Sequence, residues 1–134
     1  MSAENLALLR RYVAIYNDGA WDRLGDVLTA DYVHHSNAAS LTTAEFVRGA
    51  EWIRAGIPDF TVEVADMFSD SDRVAVRFVG RGTHSASMFG EPPSDRRITL
   101  YGTTIFRIVD GRIAEDWEAM DEADLRRQVG APGA

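Results

Sequence analysis

Acidic side chains crowd one stretch near the C-terminus: Asp110, Glu115, Asp116, Glu118, Asp121, Glu122 and Asp124. A carboxylate from such a group, once buried, is pushed toward a higher pKa by lost solvation and by its like-charged neighbours. It then serves as a base near neutral pH and, having taken a proton, as the acid that returns it. One such group can take a proton from an acidic carbon and later deliver one to an oxygen. Asp121 also stands just before Glu122–Val129, where an aspartate caps a helix, so acid–base and capping roles both remain open for it.

The three histidines are His34, His35 and His84. Adjacent residues on a strand point to opposite faces, so His34 and His35 cannot share one face without a bulge. His35 has the parity of Asp31 and Val33 and is assigned to the pocket side, where it would bind a substrate carbonyl or phenol. The competing reading is a half-exposed histidine at a strand end. His84 follows Gly82-Thr83 and is expected at the rim. No compact ligand spacing unites His35, His84 and a carboxylate, so no metal site is expected.

Tyr12, Tyr16, Trp52, Met88, Phe89, Thr104 and Trp117 are candidates to line a pocket. As a set they suit a flat aromatic ligand, because aromatic side chains stack on rings. For each taken alone, core packing is the stronger explanation. Met88-Phe89-Gly90 stands beside Pro92-Pro93 on a loop that could act as a lid.

These residues must be held by elements whose pattern is legible. Leu6, Leu9, Val13 and Tyr16 recur at helical spacing over 3–17, with Ser2 as N-cap and Asp18-Gly19 as the stop. A second short helix carries Trp21, Leu24, Val27 and Leu28, and Asp31–His35 reads as a strand. Thr42 and Glu45 form a capping box opening a third helix to Gly56, and Pro58 prevents its continuation. Strand patterns follow from Val62 to Phe68, over Arg73–Thr83, over Arg97–Val109 and over Arg112–Met120. Asp110-Gly111 marks a hairpin, and a last short helix holds Leu125 and Val129. Helices first and strands after make an α+β domain: a curved antiparallel sheet forming a cone, covered by three N-terminal helices, with one deep pocket between the layers. Gly80, Gly82 and Gly102 are expected to bend the strands that carry them.

The chain has 134 residues, enough for one domain over 1–134 with a substantial core. It has no cysteine, which removes disulfide and thiolate chemistry. A net charge of -7 argues against nucleic acid as a partner. No apolar run approaches the ~18 residues of a membrane helix, so no membrane partner is expected. The opening MSAENLALLRRY lacks a basic stretch followed by an apolar one, and a cytoplasmic location is the expectation.

Five segments carry a family resemblance. RRYVAIYNDGAWDRLGDVLTADYVHH at 10–35 resembles the opening of the SnoaL-like polyketide cyclases, α+β cones of the nuclear-transport-factor-2-like superfamily. IPDF at 57–60, DRVAVRFVGRGTH at 72–84, MFGEPPSDRRITLYGTTIFRIVDGRI at 88–113 and EDWEAMDEADLRRQVG at 115–130 match its later parts. The resemblance covers nearly the whole chain. It implies ring closure on an aromatic polyketide or related ester without a cofactor. It also implies that Asp121, at the end of the last strand, is the acid–base group, and that His35 lines the pocket. Relatives commonly pair through the outer sheet face, so a homodimer is expected.

Two other functions stay open. A ketosteroid-isomerase-like proton shuttle on the same cone finds its tyrosine in Tyr12. However, Ser36 and Thr104 stand where its base and second acid belong. A non-catalytic module holding a small apolar ligand would need no more than the pocket. Hydroxylation on the same scaffold is a further variant, because fold does not fix chemistry.

Overall fold

The computed structural model describes residues 2–37 and 39–131. Helix α1, Ala3–Asp18, begins where the Ser2 side chain accepts from the Asn5 amide. It ends at Gly19, whose left-handed φ of 63° lets the chain turn out. The expected second helix is a 3-10 segment, Trp21–Asp26. Six residues including Gly25 are too few to sustain an α-helix. Strand β1, Leu28–Ser36, extends further at both ends than its pattern suggests. The short β2, Ala39–Leu41, has no sequence signature of its own. The Thr42–Glu45 capping box opens helix α2, Thr43–Gly56, as expected. Strands β3 (Thr61–Asp70), β4 (Arg73–Thr83), β5 (Arg97–Val109) and β6 (Arg112–Met120) follow, and helix α3, Glu122–Val129, closes the chain.

One curved sheet runs in the order β2-β1-β6-β5-β4-β3. The pairs along β3, β4, β5 and β6 are antiparallel, but β1 lies parallel to β6. The sheet is therefore mixed, which corrects the wholly antiparallel expectation. A pairing between the first long strand and the last is made by no hairpin and leaves no local trace in the sequence.

The strands shift register in three places: between Leu28 and Val33, between Val64 and Asp66, and between Arg107 and Ile108. Such bulges increase local twist and bend the sheet. They do not fall at the strand glycines. Gly80 and Gly102 serve close packing instead. A Cβ on Gly80 would stand 2.4 Å from the Phe60 ring, and one on Gly102 would stand 2.3 Å from Phe78. Without those side chains the two rings lie directly on the sheet.

The helices cover the concave face. Leu8, Leu9, Tyr12 and Ile15 of α1 pack against Val74, Val76, Phe106 and Ile113. A second cluster gathers Ile57, Phe60, Ile98 and Leu100 around Leu125 and Val129 of α3. Burying each of those last two side chains contributes about 2 kcal/mol. Gln128 adds a clamp, accepting from the Thr99 amide and donating to the Thr99 carbonyl. These contacts fix α3 across one end of the sheet. Among the described residues no helix is long and apolar enough to cross a membrane.

Candidate active site

Between the helices and the sheet lies a cavity of about 230 Å³. Alternation decides what faces it. On β1 the side chains of Tyr32 and His34 point inward and are buried, at 3% and 4% exposure. His35, one residue on, points outward. The same alternation on β6 turns Asp116, Glu118 and Met120 inward, and the register sets His34 beside Asp116. On β5, Thr104 lies opposite Glu118. The cavity thus has one polar wall, made by His34, Asp116, Glu118 and Thr104. The rest of the lining is mostly apolar, with Leu9, Val13, Val64, Val76, Phe78 and Phe106 beside Tyr12, Tyr16, Ser36 and Glu122.

The polar wall is a connected network. Asp116 is 1% exposed and uses both oxygens. Its Oδ1 lies 2.5 Å from His34 Nδ1, and its Oδ2 accepts from the Tyr32 hydroxyl at 2.5 Å. The other ring nitrogen, His34 Nε2, lies 3.7 Å from Glu118 Oε1. Phe46 of α2 packs edge-on against the imidazole, centroids 4.9 Å apart. Burial alone would lower the pKa of His34. The hydrogen bonds and charges of Asp116 and Glu118 outweigh it and bring it up to about 9. Burial raises the Asp116 carboxyl above its ordinary value, while His34 and the Tyr32 hydroxyl hold it back. That shift favours the imidazolium of His34 at neutral pH, paired with Asp116, whose two oxygens are already engaged. Burial, with the nearby carboxylates, also raises Tyr12 well above the ordinary tyrosine value and Tyr16 to about 12, so both hydroxyls stay protonated donors.

Four residues expected to line the pocket do so: Tyr12, Tyr16, Trp52 and Thr104. The others are placed elsewhere. Asp121 is exposed and is the N-cap of α3, its Oδ1 accepting from the Asp124 amide at 3.0 Å. The cap is the role its position gives it, and its carboxylate does not line the cavity. His35 lies on the outer face. Its Nε2 meets Glu115 Oε2 at 2.6 Å, its Nδ1 meets Ser40 Oγ at 2.9 Å, and its ring stacks on Trp117. Trp117 shares that outer parity and is 37% exposed. His84 is fully buried away from the rim, with Nδ1 2.8 Å from Ser94 Oγ. Its backbone accepts from Ser94 and Asp95, so it fastens the 84–96 loop. Met88 is buried against Gly56, and Phe89 packs edge-on to Trp52 rather than lining the cavity. Phe89 and Gly90 both take left-handed φ, 53° and 77°, in a tight turn bridged by Met88 and Glu91. Among the described residues no three His, Asp or Glu side chains converge as a metal-ligand set.

His34, Asp116 and Glu118 line the cavity although none was assigned to it from the sequence. The available signal was parity: a bulky Tyr32 shares the face of His34, and Asp116, Glu118 and Met120 alternate on β6.

Known proteins share this arrangement of elements. The family profile of the SnoaL-like polyketide cyclases matches residues 6–129. The aklanonic acid methyl ester cyclase AcmA of Streptomyces galilaeus is 27% identical over 134 residues, covering 97% of this chain and 93% of the relative. The nogalonic acid methyl ester cyclase of Streptomyces nogalater is 28% identical over 127 residues, covering 90% and 92%. Among solved structures, AclR from Streptomyces galilaeus, a proposed hydroxylase, superimposes with a TM-score of 0.87 at 28% identity, covering 97% of this chain and 83% of that one. IdmH from Streptomyces antibioticus, a proposed polyketide cyclase, gives 0.86 at 26% identity, covering 97% and 100%. With the profile spanning almost the whole chain, this protein belongs to the SnoaL-like polyketide cyclase family.

Proposed function

We propose that this protein is a cofactor-free cyclase closing a ring on a flat, largely apolar polyketide ester, with the chemistry on the His34–Glu118 wall. One observation carries this reading: the His34 imidazole and the Glu118 carboxylate, 3.7 Å apart, face the same largely apolar cavity. Glu118 takes a proton from a carbon flanked by carbonyls. The enolate oxygen is met by His34 Nε2–H, with the Thr104 hydroxyl as a second donor. The carbanion attacks an internal carbonyl, the carbon–carbon bond forms, and the new alkoxide takes back the proton held by Glu118. Asp116 has no free oxygen for this and acts by holding His34. The apolar walls fold the chain into reactive geometry, an effect worth up to roughly 7–11 kcal/mol in well-oriented systems. The names of the AcmA-type and nogalonic relatives supply the substrate class. Incubation with aklanonic and nogalonic acid methyl esters, followed by chromatography and mass spectrometry, tests it. A new isomer of unchanged mass is expected; its absence with both esters counts against the cyclase.

The likeness to AclR favours a second reading, hydroxylation on the same scaffold. A product that gains one oxygen in the same incubation would select it.

The proposal includes a homodimer through the outer sheet face. There Phe68, Ala75, Ile105 and Trp117 stand in one row across β3, β4, β5 and β6. Phe68 is 63% exposed and Ile105 47%, apolar area that a second copy would cover. The expected cytoplasmic location belongs to the same proposal.

A further inference from the structure

Behind the cavity wall, one buried hydroxyl has no task in the steps above. Tyr32 is 3% exposed, points inward from β1 and donates to Asp116 Oδ2 at 2.5 Å. The same carboxylate holds His34 through Oδ1, and the Tyr32 oxygen lies 3.4 Å from His34 Nδ1. Tyr32, His34 and Asp116 thus form a closed, buried triangle. In such a site one proton has two homes. It can sit on His34, giving imidazolium and carboxylate. It can sit on Asp116, giving a neutral pair. The low local dielectric favours the neutral pair unless something stabilises the carboxylate. A second hydrogen bond to the charged form does that.

We propose that Tyr32 is a positioning residue: its hydroxyl, bonded to Asp116 Oδ2, keeps the shared proton on His34, so that Nε2–H meets the cavity as a cation. The inference rests on the reading of His34 as a charged donor. The groups facing His34 are Asp116 and Glu118 from β6, Tyr32 from its own strand, and Tyr12 of α1, which lines the same cavity; α2 contributes the uncharged Phe46. Both carboxylates favour the cation, but only Asp116 competes for the Nδ1 proton, and only Tyr32 donates to Asp116 besides His34 among these groups. The second acceptor position is therefore what sets the charge.

Nitrogen-15 NMR of histidine-labelled protein tests this without a substrate. His34→Gln assigns the signal, and His35 and His84 serve as internal references. At pH 7 the native protein is expected to show both His34 nitrogens at protonated shifts. In Tyr32→Phe, the Nδ1 signal is expected to move toward the unprotonated position while Nε2 stays protonated. The phenylalanine ring keeps the packing against Phe46 (ring centroids 6.2 Å apart), so a purely structural role for Tyr32 would leave the spectrum unchanged. In Asp116→Asn, whose amide cannot serve as the anionic partner, His34 is expected to lose its charge by pH 7. A native-like spectrum for Tyr32→Phe overturns the assignment to Tyr32 and leaves the cationic His34 standing. A neutral His34 in the native protein at pH 7 overturns both.

Discussion

Asp116→Asn is the perturbation that bears most on the buried pair, and pH gives it a sign. In the unfolded chain His34 titrates at the ordinary 6.5; in the folded one it titrates at about 9. The folded state therefore binds that proton more tightly. Its stabilisation is complete below pH 6.5 and is lost as pH rises toward 9. At 1.36 kcal/mol per unit, the loss amounts to about 3 kcal/mol. Breaking a buried charged pair by removing one partner costs on the order of 3–5 kcal/mol by an independent route. That is a large share of the ~5–15 kcal/mol that holds an ordinary domain together. Burial also raises the Asp116 pKa, which costs stability from pH 3.8 upward. The raised pKa values of Tyr12 and Tyr16 cost stability only as pH passes 10, where the unfolded tyrosines ionise. Urea unfolding from pH 6 to 9.5, for the native protein and Asp116→Asn, measures the slope. The native protein should lose about 3 kcal/mol across that range, and the variant, weaker at pH 6, should be nearly flat. A flat native profile, or equal slopes in both proteins, refutes the charged-pair account.

Three further outcomes follow from the packing. Asp121→Ala should cost about 1 kcal/mol through loss of the α3 cap, read by thermal or urea unfolding. Gly102→Ala should destabilise by roughly 1–3 kcal/mol, because its Cβ would drive Phe78 into the cavity. Ligand affinity should fall with it in calorimetry. Light scattering should give twice the 14.8 kDa chain mass at micromolar concentration, and Ile105→Glu should return the monomer.

The long strands and the capping box were legible because their signals are local. Arg73–Thr83, Arg97–Val109 and Arg112–Met120 begin and end where turn residues and alternation say they do. The parallel pairing of β1 with β6 was not legible, because nothing near either strand encodes a partner some 80 residues away. That pairing builds the polar wall, so the site was hidden with it. The choice between His34 and His35 was a choice of parity. Asp31 and Val33 gave no decisive apolar face, and Tyr32 settled it once the structure turned its ring inward. Asp121 attracted the acid–base role because it ends the last strand, but the carboxylates facing the cavity stand earlier on that strand, at Asp116 and Glu118. The glycines were read as bends, whereas Gly80 and Gly102 make room for Phe60 and Phe78. Close approach and bending leave the same mark in a sequence.

The central claim is that ring closure depends on the cavity carboxylate Glu118 and not on the cap Asp121. Single-turnover rates of isomer formation from aklanonic acid methyl ester, for the native protein, Glu118→Gln and Asp121→Asn, test it most directly. Glu118→Gln is expected to lose about 10²–10⁴-fold, the usual worth of a general base. Asp121→Asn is expected to stay within a few-fold of the native rate. The reverse ranking, with Glu118→Gln near native and Asp121→Asn inactive though folded, would contradict it.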